Sequence, residues 1–261
     1  MTPYYADDLV TLYHGSMFDV LPELGRFDAC ITDPPYGTTN LAWDRWPTGW
    51  PDAVAEHTDT LWCFGTMRMI LARADEFDGW RFGQEIVWLK NAATSMITDR
   101  FLRRHENAVH WYRGSWPGQH RALPKVSRTG APSGTRARPG DDGGPGGDGV
   151  FDRHFKPFRP WVDDGTRWMT SVIEAKSEPK RGRLNPTQKP LGVLTPLIQY
   201  SVPEGGSVLD PFAGSGSTGI AARHLGRRAV LIEAREEQCE ATAARLTKPI
   251  EVGFNLEGLT T

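Results

Sequence analysis

The chain has 261 residues, 39% of them hydrophobic, and a formal net charge of −2 at pH 7, enough length for one large domain or one domain carrying a smaller insert. The near-neutral balance excludes a globally basic nucleic-acid binder. No run approaches 18 apolar residues and the amino terminus lacks a basic-then-apolar signal, so the expectation is a cytoplasmic protein with no membrane span.

In chain order, residues 9–13 read as a first strand ending at His14-Gly15. Ser16, followed three residues later by Asp19, resembles a capping box for a short helix that Pro22 limits. The apolar run 27–32 reads as a buried strand delivering Asp33-Pro34-Pro35-Tyr36 to the carboxyl edge of a sheet. Asp33 supplies a carboxylate acceptor. Pro34 is held extended by Pro35, which has no N–H, and its carbonyl is a second candidate acceptor. Tyr36 adds a flat ring for stacking. Two acceptors and a ring suit a planar amine such as the exocyclic amino group of a nucleobase; the plain alternative is a rigid turn after a strand.

A loop carrying Trp43, Trp46 and Trp50 precedes Pro51 at the first turn of a helix. Thr60 to Phe64 reads as a strand and Thr66 as the cap of a helix that turns Met67, Ile70, Leu71 and Ala74 to the core. Residues 80–90 and 107–113 read as an antiparallel pair at a sheet edge. Three cysteines, Cys30, Cys63 and Cys239, lack a CxxC pair or clustered His, which argues against a disulfide framework or a metal site and for a reducing compartment. Cys30 reads as a small core residue.

The pattern then stops. Between Gly130 and Gly149, 11 of 20 residues are Gly or Pro, the composition of a mobile loop. Residues 113–183 hold 14 Lys/Arg against 8 Asp/Glu, a local positive balance of the kind a phosphate backbone requires. Arg121, Lys125 and Arg128 beside that stretch, and Arg153, Lys156 and Arg159 interleaved with aromatics after it, are the candidate nucleic-acid contacts; a satellite core beneath a loop is the alternative.

Regular structure resumes with Gln188-Lys189-Pro190, leading into a helix through Leu191, Leu194, Leu197 and Ile198 that Pro196 is expected to bend. Ser207 to Asp210 is a short strand. Pro211-Phe212-Ala213-Gly214-Ser215-Gly216 is a glycine-rich turn, Ser217 to Leu225 a helix closed by Gly226, and Ala229 to Ile232 a strand ending at Glu233 before a helix over 235–246. Gly214-x-Gly216-x-x-Gly219 with Glu233 beyond it matches a dinucleotide fingerprint. Asp210 argues against a pyrophosphate there, since that anion needs a helix N-terminus free of negative charge. A ligand with a cationic amino-acid end and an adenosine fits Asp210 and Glu233 better, and S-adenosylmethionine is such a ligand.

Taken together, Asp33-Pro-Pro-Tyr36, Trp88-Leu-Lys90, the run from His105 to His110, Gln188-Lys189-Pro190, the turn from Asp210 to Gly216 and the strand to Glu233 resemble a beta-class (permuted) DNA amino-methyltransferase. The resemblance implies an α/β, Rossmann-like methyltransferase fold with a mostly parallel sheet, an antiparallel edge hairpin and an irregular insert. It divides the chain into a catalytic half (1–113), a target-recognition insert (114–166, its flexible loop about 127–150), a cofactor half (167–246) and a tail (247–261). It also implies base flipping in double-stranded DNA, Asp33 and the Pro34 carbonyl on the target amino group, Tyr36 stacked on the base, and S-adenosylmethionine held from Gln188 to Pro190, from Asp210 to Ser217 and by Glu233. A leading Asp favours adenine N6 over cytosine N4. The acid this family places after the first strand is replaced by Ser16, with Asp19 as a candidate substitute. Any restriction activity would come from a separate endonuclease partner, and the richness in Arg, Gly, Pro and Trp suits a bacterial or phage protein; RNA or protein methylation and a non-catalytic DNA-binding module are the competing readings.

Overall fold

Short strands with almost no exposed residue build the centre of the molecule. The computed structural model describes residues 1–91, 99, 101–127, 165–176 and 188–248. Its first part runs β1 (Tyr5–Ala6), β2 (Val10–His14), α1 (Met17–Val20), β3 (Ala29–Thr32), α2 (Trp50–Ala55), β4 (Thr60–Gly65) and α3 (Met67–Ala72). A hairpin of β5 (Arg81–Leu89) and β6 (His105–Tyr112) follows, then the short β7 (Lys125–Ser127), β8 (Thr166–Trp168) and β9 (Val172–Glu174). The last part is α4 (Leu191–Ser201), β10 (Ser207–Asp210), α5 (Ser217–His224), β11 (Arg228–Glu233) and α6 (Glu236–Leu246).

Nine described strands form one sheet in the order β1-β2-β11-β10-β3-β4-β6-β5-β9. β2, β11, β10, β3 and β4 are mutually parallel, and the antiparallel hairpin continues from β4, with β9 added parallel to β5 beyond it. Burial on both faces explains why β3 and β4 read as continuous apolar runs. Their side chains alternate between two cores. Ala29, Ile31, Trp62 and Phe64 join α4, α5 and α6 on one face, while Cys30, Leu61 and Cys63 join α1, α2 and α3 on the other.

The local signals mostly act as expected. Ser16 Oγ accepts from the Phe18 N–H at 3.3 Å and Thr66 Oγ1 from the Met69 N–H at 3.1 Å. Pro22 heads a 3₁₀ turn, Leu21–Glu23, that carries the chain on from α1. Pro51 occupies the first turn of α2, and α4 runs through Pro196. The expected core face of α3 is corrected: Met67, Leu71 and Ala74 are exposed, and Met69, Ile70 and Phe77 are buried. α3 spans under two turns and gives way to a 3₁₀ turn at Ala74, so the spacing of a longer helix does not carry through. β1, β9 and the β7–β8 pair are additions to the sequence reading. The Gly130–Gly149 loop, Arg128, Arg153, Lys156 and Arg159 lie outside the described residues. No described helix is long and apolar enough to cross a membrane, and no described cluster of His, Cys, Asp or Glu is placed to hold a metal.

Candidate active site

β3 and β10 are parallel neighbours, with Val208 beside Ala29 and Leu209 beside Cys30. From β3 the chain crosses to β4 on one side, and from β10 to β11 on the other. Strand order reverses here, and a crevice opens beyond the carboxyl ends of the two strands. A cavity of about 330 Å³ occupies it, lined by both following loops and by residues from 15–18 and 38–47. Thr32 Oγ1 donates to Asp210 Oδ1 at 2.7 Å and ties the two strand ends together.

On the β3 side, Tyr36 Oη donates to Asp33 Oδ1 at 2.6 Å and reaches Glu106 Oε1 at 2.9 Å. The Lys189 ammonium pairs with Asp33 Oδ2 and lies 3.0 Å from Glu106 Oε1. Lys90 Nζ holds the other Glu106 oxygen at 2.6 Å. Burial alone would raise the Glu106 pKa, but Lys189 and Lys90 pull it down to about 2. Burial would lower Lys189, and Asp33 and Glu106 instead raise it to about 12. Burial raises Asp33, against the opposing pull of Lys189. Burial and the facing carboxylates push the Tyr36 hydroxyl well up, so it stays a donor.

On the β10 side, Asp210 accepts from Thr32, from Thr218 Oγ1 at 2.6 Å and from the Phe212 N–H at 3.2 Å. Burial raises its pKa to about 6, the three donors offsetting only part of that shift. Glu233, ending β11, accepts from the Gly214 N–H at 3.0 Å and from Arg235 N and Nε at 3.0 and 2.9 Å. Gly216 sits at φ 72°, and a Cβ there would meet Thr242 Cγ2 at 2.6 Å. Thr242 Oγ1 in turn donates to the Gly214 carbonyl at 2.6 Å, which fixes the loop against α6. Gln188 Oε1 is buried without a partner among the described residues, in a side chain that lines the same cavity.

These residues fit S-adenosylmethionine. Among the described residues Asp210 carries a buried charge with no cation bonded to it, Gln188 has a buried acceptor to satisfy, and Glu233 retains acceptor capacity for a ribose diol. Asp33, Pro34, Pro35, Tyr36, Gln188, Lys189, Asp210 to Ser215, Ser217 and Glu233 all border the one cavity, whereas Gly216 and Pro190 act one layer back as the residues from which α5 and α4 start. Arg121 and Lys125 are exposed and away from the cavity, stacked over Trp116 at 4.6 Å and Trp168 at 5.1 Å. Asp19 is exposed and does not line the cavity, so it is not the missing acid; Ser16 and Phe18 line that end. Among the residues the sequence reading had not assigned to the site, Glu106 stands out. A glutamate opening the otherwise buried run Asn107, Ala108, Val109 is a signal that it needs a buried partner. Asp44 and Arg235 were also missed.

A parallel switch-point sheet with this cavity at its carboxyl edge defines an S-adenosylmethionine-dependent methyltransferase fold. The crystal structure of the M1.HpyAVI–SAM complex superposes with a TM-score of 0.59 at 24% identity, covering 91% of this chain and 100% of that one. PvuII DNA methyltransferase (cytosine-N4-specific) gives 0.63 at 14% identity, covering 98% and 92%. A family model described as DNA methylase, of the N6/N4 methyltransferases, matches residues 27–244, and the chain belongs to that family. It is 25% identical to the Type II methyltransferase M2.LlaDCHI of Lactococcus lactis subsp. cremoris, over 97% of this chain and 94% of that protein. It is also 25% identical to the Type II methyltransferase M2.DpnII of Streptococcus pneumoniae, over 94% and 92%.

Proposed function

We propose that this DNA methyltransferase of the N4/N6 family modifies the N6 amino group of adenine in double-stranded DNA, after flipping the base into the cavity. The observation that carries the reading is the placement of the Asp33 carboxylate beside the Asp210–Ser217 loop, within one cavity and joined through Thr32. A base stacked in a duplex cannot reach that depth, so it must leave the helix. Bound along Asp210, Gln188 and Glu233, S-adenosylmethionine supplies the electrophilic methyl group. The amino nitrogen is a poor nucleophile because its lone pair is delocalised into the ring. Asp33 and the Pro34 carbonyl, accepting from its two protons, favour the pyramidal state in which positive charge develops. Tyr36, its hydroxyl anchored on Asp33 and Glu106, presents the ring on which the base stacks. The three described cysteines are all buried, and direct transfer needs none of them as a nucleophile.

The adenine assignment rests on Asp33 opening the motif. To test it, the protein is incubated with unmethylated duplex DNA and labelled S-adenosylmethionine, and the digested nucleosides are identified by mass spectrometry. N6-methyladenine is expected, and Asp33→Ala is expected to slow its formation by roughly 100- to 1,000-fold, the scale of losing one transition-state acceptor. N4-methylcytosine would overturn the base assignment and leave the amino-methyltransferase reading standing.

A further inference from the structure

Asp33 is engaged on both oxygens before any base arrives: the Tyr36 hydroxyl holds Oδ1 and the Lys189 ammonium sits on Oδ2. An exocyclic amino group brings the same kind of N–H donor to the same carboxylate. Building on the reading above of Asp33 as the acceptor of that group, we propose that Lys189 holds the place of the target amino group, and that Glu106 is the positioning residue that receives the Lys189 ammonium when the base displaces it.

The geometry makes that exchange short. Lys189 Nζ already lies 3.0 Å from Glu106 Oε1, so it leaves Asp33 without ever becoming an unpaired buried charge. Its side chain is 8% exposed and Glu106 is 9% exposed, so water cannot take over either partner. The Phe64 ring, 5.1 Å from Nζ, gives the ammonium a second favourable surface. Lys90, at 2.6 Å on Glu106 Oε2, keeps that carboxylate from following Lys189 toward Asp33. Two carboxylates face two ammonium groups, and a neutral amino group entering the network leaves that count unchanged. Without the Glu106 charge, Lys189 has Asp33 as its one carboxylate partner among the described residues and blocks it.

The test is the single-turnover rate on duplex DNA for Glu106→Gln, Lys189→Met and the double variant, each measured well below its own melting temperature. Glu106→Gln is expected to be slower by roughly 10- to 100-fold, because the ammonium stays on Asp33. Removing Lys189 from that background is expected to recover at least about tenfold. A glutamate that merely supports the fold would change the melting temperature and show no such recovery of rate. Lys189→Met by itself, having lost the counter-ion of Asp33, is expected to move the acid limb of the rate profile to higher pH. A double variant as slow as Glu106→Gln, or an acid limb unmoved in Lys189→Met, would overturn the proposal while the wild-type activity stands. A wild-type protein that transfers no methyl group to DNA would overturn the parent reading first.

Discussion

A buried carboxylate must have its charge answered, and Glu106, Asp33 and Asp210 are answered differently. Glu106 has two lysines and falls to about pKa 2. Asp33 shares Lys189 and a tyrosine hydroxyl. Asp210 has two hydroxyls and one backbone N–H, with no cation bonded to it among the described residues, and burial raises it to about 6. Its missing cation is what a ligand with an ammonium group supplies. The sign of the pH dependence follows. Asp210 is ionised above about pH 6 and neutral below it, and only the ionised form attracts the ammonium. Affinity for S-adenosylhomocysteine, which keeps the amino-acid end, is therefore expected to be flat above pH 7 and to fall up to about tenfold per unit below pH 6. Calorimetry across pH 5 to 8 checks this, with Asp210→Asn expected to bind weakly and without that slope. An equal slope in the variant would place the titrating group elsewhere.

Among the elements, those set by local chemistry were legible from the chain. The caps Ser16 and Thr66, the strand Ser207–Asp210 and the glycine turn before α5 all follow from residues within a few positions of one another. The contacts that complete the site join residues far apart in sequence. Thr32 and Asp210 meet across 178 positions and Lys189 and Asp33 across 156, and hydrophobic periodicity carries no information about such pairs. The α3 register was misread because its spacing suited a longer helix than the chain builds. The loop after Tyr36 was read as a loop, but its part in the site was missed because its anchor is a single aspartate among tryptophans. Asp44 accepts the N–H groups of Gly37, Thr38 and Thr39 at 2.8, 3.0 and 2.7 Å, and a bond from the Thr39 side chain, together with these, holds its pKa down against burial. Thr38, Thr39 and Trp43 of that loop line the cavity, and Arg235 stacks over Trp43 at 5.0 Å while bonding Glu233. Asp44→Ala removes three charge-assisted bonds of about 1.5–3 kcal/mol each in isolation. Because α2 is anchored separately through buried Trp50, the loss is expected to loosen the loop and spare the sheet. The expected outcome is a fall of roughly 10- to 100-fold in kcat/KM for DNA methylation, with new proteolytic cuts confined to 37–47. Cuts throughout the chain would show that Asp44 holds more than its loop.

Across the whole molecule, the hairpin that carries Glu106 must be locked to the helix that Gln188 and Lys189 lead into, or the charge network could not hold its spacing. The lock is aromatic. His110 of β6 stacks on Trp62 of β4 at 4.6 Å, Tyr200 of α4 meets both edge-on at 5.9 Å, and Trp62 Nε1 donates to Ser201 Oγ at 2.7 Å. Both His110 ring nitrogens are buried without a hydrogen-bond partner among the described residues. Burial, and then Arg121, lower its pKa from 6.5 to about 4. A histidine held neutral in the fold contributes stability that is complete above its unfolded pKa of 6.5 and is lost as pH falls from there toward 4. Asp210 acts with the opposite sign over part of this range, since a carboxyl raised to about 6 favours the fold as pH falls through that value. Glu106, held down at about 2, begins to cost stability only below its ordinary pKa of 4.5. Between pH 6.5 and 4.5, then, the difference between wild type and His110→Phe isolates the histidine, because the other two contributions are common to both proteins. His110→Phe keeps the stack on Trp62 and removes the titrating group. It is expected to hold its melting temperature across that window better than wild type by a few degrees, on the order of 2 kcal/mol. Parallel melting curves for the two proteins would mean that His110 finds a proton acceptor in the folded chain, and that the acid sensitivity of the lock lies in other residues.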